Sequence, residues 1–247
     1  MRGLRRARVA YAPGMAHDGF VLVHGGYHGA WCWDAVRPLL SGASIAVDLP
    51  GRGTRPLDAR PVTVDRCVDA VIEDADAAGM ERFVLVGHSM GGITITETAN
   101  RHPDRVVHLV YLAALVLEPG RCTFDLYFPD GAPPLEDPAG VQPLMDEERA
   151  HQMFCADLDA EQFRDAHARC VPEPLGLFAA AVSGYDSGVT ATYIRCSRDQ
   201  PVPPAMVDAV LPILRPSAVI ELDSDHDVML SHPQALADVL NGIAAIA

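Results

Sequence analysis

Several features that define common protein classes are absent from this chain of 247 residues. No stretch approaches the ~20 consecutive apolar residues that a membrane-spanning helix needs. The six cysteines form no C-x-x-C pair and no metal-ligand spacing, so neither a disulfide framework nor a zinc site is indicated. No internal repeat or low-complexity segment is visible, which argues against a solenoid or a long linker.

Motifs for common cofactors are also missing. The chain has no G-x-x-x-x-G-K-[ST] loop for nucleotide phosphates, no G-x-G-x-x-G turn for dinucleotides and no H-E-x-x-H metal site. We therefore expect neither a cofactor nor a metal, and we look for chemistry that side chains alone can perform.

Basic residues are outnumbered: 19 Lys and Arg face 33 Asp and Glu, which gives a formal net charge of −14. Such a charge argues against nucleic acid or an anionic membrane surface as a partner. A small molecule is the expected partner, and the sequence leaves a homodimer open.

The first 16 residues, MRGLRRARVAYAPGMA, are basic and lack an apolar run long enough for a secretory signal. We predict a poorly ordered leader over 1–16 and one domain over 17–247. Because scattered thiols suit a reducing compartment, the composition favours a cytoplasmic location.

Short apolar runs alternate with helix-like stretches along most of the chain. This alternation predicts an α/β fold, with a mostly parallel sheet covered by helices on both faces. The predicted strands are 20–23, 44–48, 83–86, 106–112, 192–196 and 218–222, and the predicted helices include 33–40, 64–78, 90–101 and 233–243.

One region, 118–174, breaks the alternation; we call it the inserted segment. It holds eight of the 20 prolines and no good strand signal, while 144–170 reads as one or two amphipathic helices. A plain loop of this length would be unusual in a compact domain, so we predict a helical cap on a core formed by 17–117 and 175–247. The alternative is an excursion that packs elsewhere.

The most informative motif is FVLVGHSMGG over residues 83–92, in which a buried strand stops at G-H-S-M-G. A serine between a buried strand and a helix lies on a sharp turn, where its hydroxyl can be exposed to a substrate. Ser89 is therefore the candidate nucleophile.

A serine nucleophile needs a base and a group that orients this base. His226 follows the last predicted strand, and Asp199 follows the strand before it, which is the order expected for such a sheet. We expect the neighbouring Asp223, Asp225 and Asp227 to be solvated or to order the loop, and Glu118 is a less favoured acid.

Backbone donors for an oxyanion are expected after the nucleophile and in the loop after an early strand. These positions are Met90 and Gly26, the latter in the stretch HGGYHG. We expect His24 to support this loop, and His28 to be a packing residue behind it. His88 is a poor base candidate because adjacent residues on a sharp turn point in different directions.

From about residue 20 to 246 the chain resembles the α/β-hydrolase superfamily. FVLVHGGYHGAWCWD, VGHSMGG, CSRDQPVPP and DSDHDVMLSHPQALADVL resemble the branch of plant-type methylesterases and hydroxynitrile lyases, with its bacterial relatives. The resemblance implies Ser89, Asp199 and His226 as the catalytic triad. The lyases of this branch have a threonine and a lysine at the positions that Gly25 and Asp227 occupy here, which disfavours cyanohydrin chemistry.

The expected function is hydrolysis of a small, largely apolar carboxylic ester through an acyl-enzyme on Ser89. Two alternatives stay open: a tailoring lyase, acyltransferase or thioesterase of secondary metabolism with the same triad, and a small-molecule binder without catalysis. Candidate pocket residues, which could equally form the core of the inserted segment, are Leu126, Tyr127, Phe128, Met153 and Phe154, together with Gly25 beside the nucleophile.

Overall fold

A computed structural model describes residues 17–126, 128 and 135–247. The predicted leader and Tyr127 lie outside the described residues. The main strands are β1 (Gly19–Val23), β2 (Ala43–Val47), β3 (Phe83–His88), β4 (Val106–Leu112), β7 (Ala191–Cys196) and β8 (Ala218–Leu222). The helices are α1 (Val64–Ala77), α2 (Gly91–Arg101), α3 (Glu147–Phe154), α4 (Ala160–His167), α5 (Leu175–Phe178), α6 (Pro204–Leu214), α7 (Val228–Ser231) and α8 (Pro233–Ala244).

The six main strands form one sheet in the order β2-β1-β3-β4-β7-β8. Every pairing between neighbours in this sheet is parallel, which confirms the predicted sheet. All six strands therefore end at the same edge. The loops that follow β1, β3, β7 and β8 at this edge hold the residues singled out from the sequence.

Successive side chains of the buried strands pack alternately into two separate hydrophobic cores. In β3, Phe83 and Leu85 pack on one face of the sheet, whereas Val84 and Val86 pack on the other. The first core also contains residues of α1, α2 and α6, and the second contains residues of α8. A strand buried on both faces has no polar side to alternate with, which explains why these strands read as unbroken apolar runs.

One predicted helix differs from the structure. The helix expected over 33–40 is replaced by two 3₁₀ turns, Ala30–Trp33 and Arg37–Leu39. Pro38 in the second turn has no backbone N–H to donate, so a continuous α-helix would lose a hydrogen bond there.

The inserted segment contains α3 and α4, as expected, and also a 3₁₀ turn at Thr123–Leu126. Two very short strands, β5 (Val141–Gln142) and β6 (Glu173–Pro174), pair in antiparallel fashion. The absence of a strand signal is understandable because these strands have two residues each and one ends in proline. Their pairing brings the two ends of the helical region together.

No helix among the described residues is both long and apolar enough to cross a membrane. All six cysteines are described, and none forms a disulfide.

The turn between β3 and α2 is packed without room for extra atoms. A Cβ added at Gly87 would lie 2.8 Å from the carbonyl oxygen of Gly91, and one at Gly91 would lie 2.6 Å from that of His24. We expect Gly87→Ala to lower the free energy of unfolding by roughly 1–3 kcal/mol, because the helix must move off the strand.

The matched control is Gly242→Ala in α8, where an added Cβ meets nothing within 4 Å. This change should stabilise the helix by roughly 0.5–1 kcal/mol. Urea unfolding of both variants measures the difference. Equal stability of the two variants would contradict the close packing of the turn.

Candidate active site

Ser89 lies with Met90 in the short turn between β3 and α2, in a backbone conformation that few serines adopt. Its φ is +51°, in the left-handed region. The conformation is held by hydrogen bonds, since the Ser89 N–H donates to Leu112 O at 3.1 Å and the Ser89 carbonyl accepts from Leu115 N at 2.9 Å. This strain raises the side chain out of the sheet, and Ser89 remains half-buried rather than enclosed.

His226 and Asp199 are in direct contact although 27 residues separate them. Nδ1 of His226 lies 2.8 Å from Oδ2 of Asp199, and both side chains are buried. The other carboxylate oxygen of Asp199 accepts from Val202 N at 2.7 Å, which fixes the orientation of the acid. Nε2 of His226 is buried and has no hydrogen-bond partner within the described chain. This nitrogen is therefore available to a hydroxyl.

Competing environments set the pKa of His226. Burial is the largest single effect and lowers it, but the charge and hydrogen bond of the Asp199 carboxylate and the charge of Asp227 together outweigh burial. The net pKa of His226 is raised above its ordinary value, which is the direction that strengthens a base.

Asp227 is buried, which excludes the first of the two roles expected for it, that of a solvated loop carboxylate. Its Oδ2 lies 3.0 Å from Nε2 of His28 and accepts from the Cys155 thiol at 3.0 Å. Burial would raise the pKa of Asp227, but the charge and hydrogen bond of His28 bring it well below the ordinary value. His28 therefore contacts the buried Asp227 carboxylate, besides packing behind the loop.

Asp225 orders the loop that carries His226, which is one of the two roles expected for it. It is buried and accepts from Asp157 N at 2.7 Å and from the Ser231 hydroxyl at 3.1 Å. Asp157 belongs to the inserted segment, so this contact connects the segment to the loop that carries His226. Asp223 is exposed and pairs with Arg198.

The loop after β1 is held by the histidines on either side of its glycines. Nδ1 of His24 lies 2.7 Å from the carbonyl of Gly25, and its Nε2 accepts from Leu49 N at 3.2 Å. Burial, with the nearby Arg52 charge, lowers the pKa of His24 to about 3, in keeping with a neutral ring that accepts at Nε2. On the other side, Nδ1 of His28 lies 2.6 Å from the carbonyl of Gly26.

The two predicted oxyanion donors are unoccupied by protein acceptors. Within the described residues, neither the Gly26 N–H nor the Met90 N–H donates a hydrogen bond. Met90 directly precedes the first residue of α2, so its N–H lies at the positive end of the helix dipole. Both residues line one cavity with Ser89 and His226.

This cavity has a volume of about 730 Å³ and is mostly apolar. Of the candidate pocket residues, Leu126, Phe128, Met153 and Phe154 line it. Gly25 does not: it lines a smaller cavity behind the loop. The remaining lining side chains come chiefly from the inserted segment and from the loops after β4 and β7, and include Leu115, Thr123, Phe124, Gln142, Met145, Arg149, Phe178, Val202 and Met206.

A possible cation-binding group lies beside the cavity. His88, His226 and Asp227 place ligand atoms within 4.8 Å of one another in the described part of the chain. These side chains already have partners: Asp199 holds His226, His28 holds Asp227, and Nε2 of His88 lies 3.1 Å from the His226 carbonyl. We therefore treat them as a hydrogen-bonded network. Burial, followed by the His226 charge, holds the pKa of His88 well below its ordinary value.

Sequence reasoning did not single out Glu173 and Arg52, which form a buried ion pair beside the Gly26 loop. Nη2 of Arg52 lies 2.5 Å from Oε2 of Glu173, and the two residues are 4% and 0% exposed. They are 121 residues apart in a chain rich in surface charges. No spacing or motif distinguishes them, so no signal in the sequence could have indicated their position.

Comparisons with known proteins agree with this architecture. The sequence pattern of the Alpha/beta hydrolase family matches residues 20–239. The chain is 32% identical to an alpha-hydroxynitrile lyase of Arabidopsis thaliana, over 91% of this chain and 96% of the relative. It is 29% identical to a pheophorbidase of Raphanus sativus, over 88% and 90% of the two chains.

Among solved structures, the fold is similar to that of a methylesterase from Arabidopsis. The TM-score is 0.77 and the identity 27%, and the match covers 93% of this chain and 99% of that one. The predicted resemblance to the methylesterase and hydroxynitrile lyase branch is thus confirmed. The chain belongs to the α/β hydrolase family, as an enzyme of its esterase-like branch.

Proposed function

We propose that the protein is a serine esterase that cleaves a small, largely apolar carboxylic ester through an acyl-enzyme on Ser89. The observation that carries this proposal is the buried Asp199–His226 pair, whose unpartnered Nε2 belongs to a residue lining the same cavity as Ser89. A nucleophile, a base and an orienting acid are the minimum set for this chemistry.

In the first step, Nε2 of His226 takes the proton of the Ser89 hydroxyl while Oγ attacks the ester carbonyl. The carbonyl oxygen becomes an oxyanion, which the N–H groups of Gly26 and Met90 stabilise. Asp199 holds Nδ1–H, so the imidazolium is formed beside a buried negative charge. The alcohol leaves with the proton from His226.

In the second step, water attacks the acyl carbon and gives its proton to His226. The tetrahedral intermediate then releases the carboxylic acid, and the proton returns to Ser89. Each well-placed backbone donor typically lowers the barrier by about 3 kcal/mol.

The lining of the cavity supports an apolar substrate. Met153, Phe154 and Phe178 contribute thioether and aromatic surface, and the inserted segment, acting as a cap, supplies much of the wall. A cavity of about 730 Å³ is within the range usual for small-molecule sites.

A lyase is the main rival because one of the relatives is an alpha-hydroxynitrile lyase. A departing cyanide needs a positive group beside the base. Here the residue after His226 is Asp227, a buried carboxylate paired with His28 and not part of the cavity lining. Asp227 does not line the cavity, so its negative charge would not directly repel a departing cyanide. It also supplies no positive group that could stabilise the cyanide. This favours ester hydrolysis.

Replacement of the nucleophile tests the proposal directly. Ser89→Ala should lower hydrolysis of p-nitrophenyl acetate by on the order of 10⁴-fold or more, and should abolish covalent labelling by a fluorophosphonate probe. Wild-type protein that is folded but not labelled would sink the assignment of Ser89. Labelling without ester turnover would favour the tailoring or binding alternatives.

Asp199→Asn should reduce kcat by on the order of 10⁴-fold at neutral pH, because an amide can favour the wrong tautomer of His226. Asp208→Asn is the matched control, since Asp208 lies on α6 with an exposed side chain. Steady-state kinetics of both variants decides the matter. If Asp199→Asn retains wild-type kcat, the orienting acid is another residue.

The pH profile follows from the pKa of His226. Only the neutral imidazole can accept the Ser89 proton, so kcat/KM should fall as pH is lowered through this pKa. Because Asp199 raises the pKa of His226 in the folded protein, the midpoint should lie above the ordinary value of 6.5. A rate profile measured between pH 5 and 9 checks this, and a midpoint below the ordinary value would contradict it.

A further inference from the structure

Tyr27, the residue after the proposed oxyanion donor Gly26, has a strained backbone. Its φ is +63°, in the left-handed region that a bulky side chain rarely adopts. Such a conformation persists only where surrounding contacts enforce it. Gly26 and Tyr27 share the peptide that carries the Gly26 carbonyl and the Tyr27 N–H, so what holds Tyr27 also restricts the backbone angles of Gly26 and, through them, the direction of the Gly26 N–H.

Both backbone polar groups of Tyr27 are bonded to the inserted segment. The Tyr27 N–H donates to Oε2 of Glu173 at 2.6 Å. The Tyr27 carbonyl accepts from the N–H of Val171 at 2.9 Å. The loop of the core is therefore fixed by residues that lie 144 and 146 positions further along the chain.

Glu173 also joins this loop to a third segment. The same Oε2 accepts from Nη2 of Arg52, in the loop after β2. In that loop, a Cβ added at Gly51 would lie 3.1 Å from the ring of Pro174. One carboxylate oxygen thus connects the loop after β1, the loop after β2 and the end of the inserted segment.

Stability alone does not explain the ion pair. Oε1 of Glu173 and both Nε and Nη1 of Arg52 are buried without hydrogen-bond partners among the described residues. A buried pair with unsatisfied atoms gains little or no net stability over apolar side chains of similar volume. Its benefit must lie in the geometry that it imposes on its neighbours.

The nearest neighbour is Gly26. A Cβ at this glycine would lie 3.3 Å from Oε2 of Glu173, so the carboxylate lies close to the Cα of the donor residue. On the opposite side, His28 holds the Gly26 carbonyl. The peptide that follows the donor residue is therefore fixed at both of its polar groups, its carbonyl by His28 within the core and its N–H by Glu173 from the inserted segment.

We propose that Glu173 is a positioning residue, which holds Tyr27 in its left-handed conformation and so aims the Gly26 N–H at the oxyanion. This inference rests on the proposed esterase function. It makes the inserted segment more than a wall of the cavity: the oxyanion hole is complete only when residues 171–173 are seated on the loop.

Three variants distinguish the position of the acceptor for the Tyr27 N–H from the negative charge of Glu173. Glu173→Gln keeps an oxygen acceptor for Tyr27 N–H, so kcat should stay within about threefold of wild type. Glu173→Asp keeps the charge opposite Arg52 but withdraws the acceptor by one methylene. The double variant Glu173→Leu with Arg52→Leu removes both charges together and avoids a lone buried ion.

For Glu173→Asp and for the double variant, we expect kcat on p-nitrophenyl acetate to fall by about 10- to 100-fold, less than the loss for a deleted oxyanion donor. KM should remain within about twofold. Affinity for a trifluoromethyl ketone should fall in parallel with kcat, because its tetrahedral adduct with Ser89 places a negative oxygen in the same hole. A purely structural role for Glu173 would not produce this parallel loss.

The control is the double variant Arg105→Gln with Asp76→Asn, which removes an ion pair at the other end of the strands. It should leave kcat and inhibitor affinity unchanged. Circular dichroism and thermal unfolding show whether each variant is folded. If the double variant Glu173→Leu with Arg52→Leu does not fold, the kinetics of Glu173→Asp alone test the positioning role. Wild-type kcat and inhibitor affinity in folded Glu173→Asp would overturn the positioning role while the esterase function stands. Wild-type protein without fluorophosphonate labelling would overturn both.

Discussion

The structure depends on how closely α2 approaches the sheet. The backbone of this helix begins against the carbonyl of His24 at the end of β1, and no side chain fits between them. This contact forces the chain to turn within two residues after β3, which places Ser89 at positive φ and Met90 at the start of the helix. The strained backbone of the proposed nucleophile and the position of the proposed donor at the helix start are thus two results of one packing constraint.

Around this turn, three buried carboxylates among the described residues each contact a basic side chain. Asp199 faces His226, Asp227 faces His28, and Glu173 faces Arg52. Each carboxylate belongs to a different loop or segment, and each orients a group close to the proposed reaction centre. The chain has a formal charge of −14, and solvent is sufficient to stabilise most of its carboxylates. These three are held in a low-dielectric setting, where a fixed charge acts strongly on its neighbour.

Much of the fold and the central site could be predicted from the sequence because the signals are local. Strands such as β3 are uninterrupted apolar runs, and a parallel sheet places the ends of such strands at one edge. Ser89, Asp199 and His226 were found by their positions after strands, and the structure brings the last two into contact. Met153 and Phe154, which were candidate pocket residues because they belong to the inserted segment, do line the cavity.

The remaining features depend on contacts between distant segments, which no local pattern encodes. His28 and Asp227 are 199 residues apart, and the burial of Asp227 excludes one of the two roles expected for it, that of a solvated carboxylate. Glu173 lies in a stretch with two prolines, where nothing marks its carboxylate as buried. Its role depends on how the ends of the inserted segment are seated, and composition does not determine this.

The bonds from residues 171 and 173 to Tyr27 restrict how this scaffold can be re-engineered or diversified. An exchange of the whole inserted segment between relatives is an attractive way to transplant substrate preference, because this segment forms much of the pocket wall. A graft that ends before residue 171 keeps the native anchor, whereas one that extends further must bring an equivalent acceptor with it. The boundary of a successful chimaera is therefore set by the backbone of Tyr27 rather than by the residues that touch substrate.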